Sequence, residues 1–266
     1  MSQSPVVAAK EAQLRDRRSV VLDALGREIC NNELAVGTVF TIESIELRFK
    51  VSRPVVREVL RGLEVVGLIQ SKRRVGITVQ PLSNWNLFDS QVIRWRLAGA
   101  DRVEQLRALT ELRSAVEPAA ARMAAGRTSL GAASRLVSLS GQLWQAGRQG
   151  DTASFLALDI QFHGLVLAMS GNEMFTQMHH LVDEILTGRM QYGLMPQFPA
   201  AEALQLHVDI ATSIQAGDAE AASSAMLAIM DRSMNEMSSI WATGLTRLRS
   251  DRTENPVELD GSVTRR

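Results

Sequence analysis

Hydrophobic residues recur at helical spacing along most of this chain. Over residues 13–31 they fall near a 3.6-residue period, which predicts a first helix. Thr41 and Ser52 are residue types that cap helix N-termini, and Pro54 suits a first helical turn, so two shorter helices are expected before Gly67. Two β-branched segments, Leu-Ile-Gln-Ser and Gly-Ile-Thr-Val, then flank a basic turn and predict a β-hairpin.

From Trp85 onward the pattern is helical throughout. The predicted helices cover roughly residues 87–98, 101–126, 129–149, 151–170, 172–192, 198–216 and 218–245. No strand-like alternation interrupts them. The predicted fold class is therefore mainly α: an N-terminal winged helix-turn-helix of three helices plus a β-hairpin, followed by an all-α antiparallel bundle of six to seven helices.

The same pattern divides the chain into five segments. These are a disordered extension over residues 1–12, a winged helix-turn-helix domain over 13–80, a linker over 81–88, a helical domain over 89–248 and a flexible tail over 249–266. No signal peptide is recognised and no run approaches 18 apolar residues, so neither export nor a membrane span is predicted. We expect a cytoplasmic protein.

Charge is unevenly distributed, although the 266 residues carry no net charge. Residues 1–80 contain 13 Lys or Arg and 9 Asp or Glu, and residues 48–76 alone have a net charge of +6. This asymmetry favours a nucleic-acid partner for the N-terminal part of the chain. The single cysteine, Cys30, excludes an internal disulfide and a cysteine-rich zinc site.

The third predicted helix has the features of a DNA recognition helix. Arg53 and Arg57 lie four residues apart on one face near its start, while five Val and Leu residues form the opposite face. Arginine reads guanine in the major groove by paired hydrogen bonds. The hairpin turn adds three cations and a glycine that permits close backbone approach: Lys72, Arg73, Arg74 and Gly76. The alternative is that all these charges are simply solvated surface groups.

The sequence Val-Ser-Arg-Pro-Val-Val-Arg-Glu-Val-Leu over residues 51–60, with Gly-Leu-Ile at 67–69, resembles the signature of the GntR family of bacterial regulators. The resemblance implies that Arg53 and Arg57 contact bases or phosphates of double-stranded operator DNA, that Ser52 supports the helix start, and that residues 72–76 form the wing tip. Many members carry an arginine in the second helix, where this chain has Glu43 or a neighbouring residue.

The helical part resembles the FCD sensor domain of the FadR-type subgroup, through Glu-Leu-Arg at 111–113, Glu-Pro-Ala at 117–119 and Asp-Ile-Gln-Phe-His at 159–163. The resemblance implies a homodimer whose bundle binds a carboxylate effector and, in many members, a divalent metal. It also implies no enzymatic activity. A metal-dependent hydrolase is the alternative from another class of protein, but it would leave the N-terminal domain unexplained.

Three residues of this domain are candidate metal ligands. Asp159 and His163 share one face of an apolar helix, and His207 comes from a later helix. A carboxylate in such surroundings is costly unless it is paired or binds a metal, and an Asp-His-His set suits a divalent ion such as zinc. Ile229 stands where metal-binding members usually carry a further histidine. Local pairing within the core, without a metal, is the alternative.

The expected effector-binding residues are Arg113, Asp159, His163 and His207. A guanidinium such as that of Arg113 grips a carboxylate with two hydrogen bonds, but a surface ion pair with Glu111 or Glu117 is equally compatible with the sequence. The linker around Trp85 resembles that of regulators of aldonic-acid catabolism, which respond to galactonate or gluconate. This resemblance suggests a repressor that a sugar acid releases from its operator. An acyl-CoA or another carboxylate is the alternative effector.

Overall fold

The computed structural model of this protein describes residues 5–127 and 129–253, with side chains described for residues 17–127 and 129–237. The chain forms two compact units. The first contains the residues up to Leu109 together with His180–Gly188, and the second contains Thr110–His179 and the residues from Arg189 onward.

The first unit is a winged helix-turn-helix, as predicted. Its helices are α1 (Pro5–Cys30), α2 (Ile42–Phe49), α3 (Arg53–Val65) and α4 (Ser90–Leu97), with a 3-10 turn over Leu82–Asn84. Its strands are β1 (Val39–Phe40), β2 (Ile69–Lys72) and β3 (Gly76–Val79). They form an antiparallel sheet in the order β1-β3-β2, so the predicted hairpin has an additional short strand on its β3 side.

Local chemistry explains where the two helices of the helix-turn-helix begin. Thr41 and Ser44 form a reciprocal capping box at the start of α2. Lys50 then adopts the left-handed conformation, and Pro54 lies in the first turn of α3. The apolar face of α3 is buried as the sequence predicts, and its members are Val55, Val56, Val59, Leu60 and Leu63. This burial fixes which face of α3 remains exposed.

Helix α4 belongs to the first unit, whereas the helical domain predicted over residues 89–248 included it. Trp95 is buried, and its indole nitrogen donates a hydrogen bond to Oδ1 of Asp23 in α1 at 2.9 Å. Gly26 provides the space for the indole ring, since a Cβ at that position would lie 2.5 Å from the ring. The tryptophan therefore packs within the first unit.

The second unit is built from helices, two of which, α5 and α9, also contribute residues to the first unit. The helices are α5 (Arg102–Arg127), α6 (Leu130–Gln149), α7 (Thr152–Met169), α8 (Glu173–Gln177), α9 (His179–Gln191), α10 (Ala201–Ala216) and α11 (Ala219–Thr253). Side chains of Ser129 and Asp151 cap the N-termini of α6 and α7. Helix α10 packs against α6 and α11, and α6 packs against α7.

Several predictions differ from the structure. Helix α11 continues to Thr253, so residues 249–253 of the predicted flexible tail are helical. The helix predicted over 172–192 is divided at Met178, and beside this break the His179 ring hydrogen-bonds the Thr176 carbonyl oxygen. Helix α1 begins at Pro5, so residues 5–12, predicted to be disordered, are helical; their alanine-rich sequence has high helix propensity. Residues 1–4 and 254–266 of the predicted extension and tail lie outside the described residues.

Among the described residues, α7 is the helix that is long and apolar enough to cross a membrane, by length and composition only. It carries Asp159 and His163, both buried within the second unit. We interpret α7 as a core helix of the protein. Its two ionisable side chains are buried because they pair with other residues of the protein, so a bilayer is not needed to explain the apolar helix.

Candidate functional site

The start of α3 presents the two predicted arginines to solvent. Arg53 and Arg57 are both exposed, one turn apart on the face opposite the buried valines. Arg53 forms an ion pair with Glu43 of α2, with 3.1 Å between Nη2 and Oε1. Arg57 is exposed and forms no ion pair within the described part of the chain, so its guanidinium is accessible in this arrangement. The face has the charge and position that a major-groove contact requires.

Ser52 and Gly76 occupy the predicted positions at the start of α3 and in the wing, but their local contacts differ from those expected. Ser52 precedes α3, yet its hydroxyl makes no capping hydrogen bond, and its carbonyl oxygen accepts from Val56 instead. Gly76 has φ of +105°, and a Cβ there would lie 2.9 Å from Val39 Cγ1. The sheet geometry alone therefore requires glycine at this position. Contact of either residue with DNA stays a prediction.

The turn between β2 and β3 carries the three remaining cations. Lys72, Arg73 and Arg74 are all exposed, and Arg74 adopts a positive φ of 68°. The Glu64 carboxylate accepts a hydrogen bond from the Ser71 backbone N–H at 2.7 Å, which ties β2 to α3. The wing is thus anchored on the recognition helix, while its cationic side chains extend from the turn.

In the second unit the structure brings the three predicted metal ligands together. Asp159 and His163 of α7 and His207 of α10 are all buried, and their ligand atoms lie within 4.8 Å of one another. Asp159 Oδ1 is 3.1 Å from His207 Nε2 and 3.4 Å from His163 Nε2. Phe162 packs edge-on against both imidazole rings, with centroid distances of 5.1 and 5.7 Å. The cluster is therefore enclosed in apolar surroundings.

The other nitrogen of each imidazole has a partner that can only accept. His207 Nδ1 lies 2.8 Å from the Ala203 carbonyl oxygen, and His163 Nδ1 lies 2.5 Å from Glu117 Oε2. Each Nδ1 therefore carries the proton, and in a neutral imidazole the Nε2 lone pair points toward Asp159. Two lone pairs and a carboxylate oxygen facing one another require a positive charge between them, either a metal ion or a proton.

Ionisation in this cluster follows from the close pairing. Burial alone would raise the pKa of Glu117, but the charges of Arg113 and His163 outweigh it and lower the pKa to about 2. Burial would lower the pKa of His163, yet Glu117 and Asp159 raise it to about 9. Burial would raise the pKa of Asp159, but its contacts with His163 and His207 outweigh burial and hold that pKa below its ordinary value. Both carboxylates are thus anionic at neutral pH.

These residues fit a divalent metal. Zinc bonds imidazole nitrogen and carboxylate oxygen at about 2.0–2.2 Å, so tetrahedral geometry separates two ligand atoms by roughly 3.3 Å. The spacings from Asp159 Oδ1 to the two Nε2 atoms match that value. Glu117 and the Ala203 carbonyl supply the outer hydrogen bonds that orient ligating histidines. Ile229 lies on α11, largely buried, and contributes no donor atom.

Arg113 forms an ion pair with Glu117, one of the two partners that the sequence left open, but the pair is buried rather than exposed. Arg113 Nε donates to Oε1 at 2.5 Å, and both side chains are at most 3% exposed. Glu117 thereby connects Arg113 to His163. The edge of the guanidinium that best grips a carboxylate is thus already occupied.

Two functional candidates in this unit are not evident from the sequence. Glu117 is expected there only as a possible surface partner of Arg113, four residues earlier, and not as the buried partner of His163. Arg189 of α9 is also buried, and it donates through Nη1 to Ser233 Oγ at 2.7 Å. No local pattern marked Arg189, since Ser233 lies 44 residues further along the chain.

A cationic recognition helix and wing in one unit, and a buried polar cluster in a helical second unit, define a transcriptional regulator with a winged-helix DNA-binding domain. Comparison with family models agrees: residues 17–79 match "Bacterial regulatory proteins, gntR family", and residues 108–232 match "FCD domain". The chain belongs to the GntR family of bacterial regulators and carries an FCD domain. Members of this family are DNA-binding transcriptional regulators rather than enzymes, which excludes the hydrolase alternative.

Known proteins are similar along most of the chain. The galactonate operon transcriptional repressor of Escherichia coli is 28% identical over 83% of this chain and 96% of its own length. The HTH-type transcriptional regulator YieP of the same organism is 25% identical over 85% of this chain and 97% of its length. A solved structure of Lar, described as controlling the Listeria monocytogenes agr system, shares the fold with a TM-score of 0.52 at 14% identity, covering 84% of this chain and 96% of its own.

Proposed function

We propose that this protein is a cytoplasmic homodimeric repressor of sugar-acid catabolism, released from its operator by an aldonic acid of the galactonate or gluconate type. Arg53 and Arg57 contact bases or phosphates, with Ser52 at the helix start and the wing residues on the adjacent backbone. Two copies of α3 address two half-sites about 34 Å apart, one helical turn of DNA. Much of the affinity comes from counterion release, so it falls steeply with salt.

The observation that carries the sensing half of the proposal is the buried cluster of Asp159, His163, His207, Glu117 and Arg113. Ionisable groups in a protein interior cost free energy, and apolar residues of similar volume stabilise a core at least as well. A cluster of five such groups in one helical bundle is therefore better explained by ligand binding than by stability.

Asp159, His163 and His207 would hold one divalent metal such as zinc in this site. The metal would supply a Lewis-acidic centre whose remaining positions accept carboxylate or hydroxyl oxygens. Glu117 holds the His163 ring in the ligating tautomer, and Arg113 balances the charge of Glu117. A sugar acid carries both kinds of oxygen on adjacent carbons, which suits a metal with open positions.

Similarity to known regulators supports the proposed class of effector. A relative that is 28% identical is named a galactonate operon repressor. The linker after the wing resembles regulators that respond to aldonic acids. A fatty acyl chain would place an apolar tail against buried charges, so the cluster disfavours the acyl-CoA alternative.

The proposal is tested by the thermal unfolding midpoint of the purified full-length protein. D-galactonate and D-gluconate should raise the midpoint, because a ligand that binds only the folded state stabilises it, and the uncharged polyol galactitol should not. Prior treatment with EDTA should reduce the rise, and added zinc should restore it. Stabilisation by galactitol equal to that by galactonate would contradict the assignment of a carboxylate effector.

The same ligands should dissociate the protein from DNA taken from upstream of its own operon. The measurement is fluorescence anisotropy of the labelled fragment at a fixed protein concentration. An effector shifts this equilibrium only if it binds the free protein better than the DNA-bound form. Unchanged DNA binding at a galactonate concentration that saturates the thermal shift would contradict the release mechanism.

A further inference from the structure

Arg189 is a buried cation with incomplete hydrogen bonding. Its side chain is 8% exposed. Nη1 donates to Ser233 Oγ at 2.7 Å, and Nη2 donates to Glu236 Oε2 at 3.3 Å. Nε is buried and makes no hydrogen bond within the part of the chain that the structure describes. A buried charged donor without an acceptor raises the free energy of the folded protein. A ligand that supplies an acceptor to this nitrogen would therefore be stabilised there.

The unfilled position lies on the edge of the guanidinium that binds carboxylates. Nε and Nη2 point in the same direction and together hold both oxygens of one carboxylate. Arg113 uses this edge for Glu117, with its Nε only 2.5 Å from Oε1. In Arg189 the same edge has only the long contact to Glu236, while the Ser233 hydroxyl fixes the opposite end of the group. The edge is therefore oriented but not saturated.

Glu236 is a weak counter-ion for this position. Its side chain is 33% exposed, and its two oxygens are shared between Arg189 and Arg232 at 3.3 Å each. Arg232 and Glu236 also line an open pocket of about 420 Å³ bounded by the segment between α9 and α10. Binding sites for small ligands start at roughly 300 Å³, so this pocket has room for a sugar acid. Glu236 thus stands between the pocket and the buried guanidinium.

Charge in the interior favours an added anion. Among the described side chains of this unit, two arginines and two carboxylates are buried, namely Arg113, Arg189, Glu117 and Asp159. A divalent ion held by the Asp-His-His set would leave two positive charges in excess. Repulsion from Arg113 acts on Arg189 and, after burial, is the largest cause that lowers its pKa.

We infer that Arg189 is the residue that binds the effector carboxylate, through Nε and Nη2, with Ser233 orienting it and Glu236 as the internal carboxylate that the effector displaces. This inference rests on the proposed sensing function and deepens it. It replaces Arg113 as the main carboxylate anchor, because Glu117 already occupies the corresponding edge of Arg113. The chemistry selects a carboxylate and rejects the matching neutral polyol.

The test is isothermal titration calorimetry of the full-length protein with D-galactonate. It compares the galactonate affinity of wild type with that of Arg189→Lys and Glu236→Gln. Lysine keeps the charge but loses the paired donors, so Arg189→Lys should lower affinity at least tenfold. Glu236→Gln removes the competing carboxylate and should raise affinity severalfold. The matched control is Arg135→Gln, an exposed arginine on α6 whose removal should leave affinity within twofold of wild type.

Far-UV circular dichroism and DNA binding without ligand establish that each variant is folded. Galactonate affinity within twofold of wild type in folded Arg189→Lys would overturn the inference and leave the aldonate proposal standing. Should Arg189→Lys fail to fold, Glu236→Gln decides, and an unchanged or lower affinity in that variant overturns the inference.

A panel containing citrate and L-lactate separates this inference from the proposed effector. If wild type binds one of these acids but no aldonate, and binding depends on Arg189, the effector class is wrong and the role of Arg189 holds. If no carboxylate binds at all, both are overturned.

Discussion

Replacing Glu117 by glutamine tests the central connection of the buried cluster. Glu117 joins Arg113 to His163 through two 2.5 Å contacts, so the isosteric amide removes one negative charge and little volume. The pKa of this carboxyl falls from 4.5 to about 2 on folding. A lowered pKa means that the folded state favours the ionised form, and the stabilisation is present above pH 4.5 and is lost as the pH falls toward 2.

The magnitude follows from that shift. At about 1.4 kcal/mol per pKa unit, the ionised Glu117 stabilises the folded metal-free protein by about 3 kcal/mol at pH 7. At pH 3 the same linkage leaves about 1 kcal/mol. Glu117→Gln should therefore reduce the free energy of unfolding by about 3 kcal/mol at pH 7, and its difference from wild type should shrink at pH 3.

Urea unfolding in the presence of a chelator measures both values. Glu111→Gln, an exposed carboxyl on the same helix, is the matched control and should change the free energy of unfolding by less than about 0.5 kcal/mol. In a zinc competition assay with a chelating dye, Glu117→Gln should bind zinc about 10- to 100-fold more weakly, since the His163 orientation is lost. A variant as stable and as zinc-competent as the control would refute the role given to Glu117.

Three further substitutions have defined outcomes. Gly26→Ala should destabilise the protein by about 1–3 kcal/mol in urea unfolding, because its Cβ would clash with Trp95, and a neutral result would contradict the packing described for α4. Glu43→Gln should strengthen DNA binding in anisotropy titrations at low salt, since the carboxylate that pairs with Arg53 also repels phosphate; weaker binding would instead mean that Glu43 positions Arg53. Ile229→His should tighten zinc binding at least tenfold by adding a donor atom, and an unchanged affinity would place this side chain out of reach of the metal.

The local sequence pattern was sufficient to predict much of the first unit. The buried face of α3 and the capping residue Thr41 are properties of short segments. The first was predicted from spacing and the second from residue type. Strand β1 has only two residues, too few for an alternating pattern, so it was missed. The break at Met178 lies beside a hydrogen bond between the His179 ring and the Thr176 carbonyl oxygen, and hydrophobic periodicity does not report such a bond.

The candidate site was predictable only in part for the same reason. Asp159 and His163 share a helix turn, so their spacing marked them as a pair. The contact from His163 to Glu117 spans 46 residues, and that from Arg189 to Ser233 spans 44. Such contacts depend on how helices pack, which a single sequence does not specify. The missed residues are therefore those whose role is set by tertiary structure.

DNA binding through the start of α3 is the claim on which the account depends, and fluorescence anisotropy with Arg57→Ala tests it most directly. Wild type should bind a labelled fragment from upstream of its own gene, with affinity that falls steeply as salt is raised. Arg57→Ala should remain folded and lose about 5- to 150-fold in affinity for that fragment, because a paired arginine–guanine contact contributes about 1–3 kcal/mol. Equal binding by both proteins across the salt series would contradict the account.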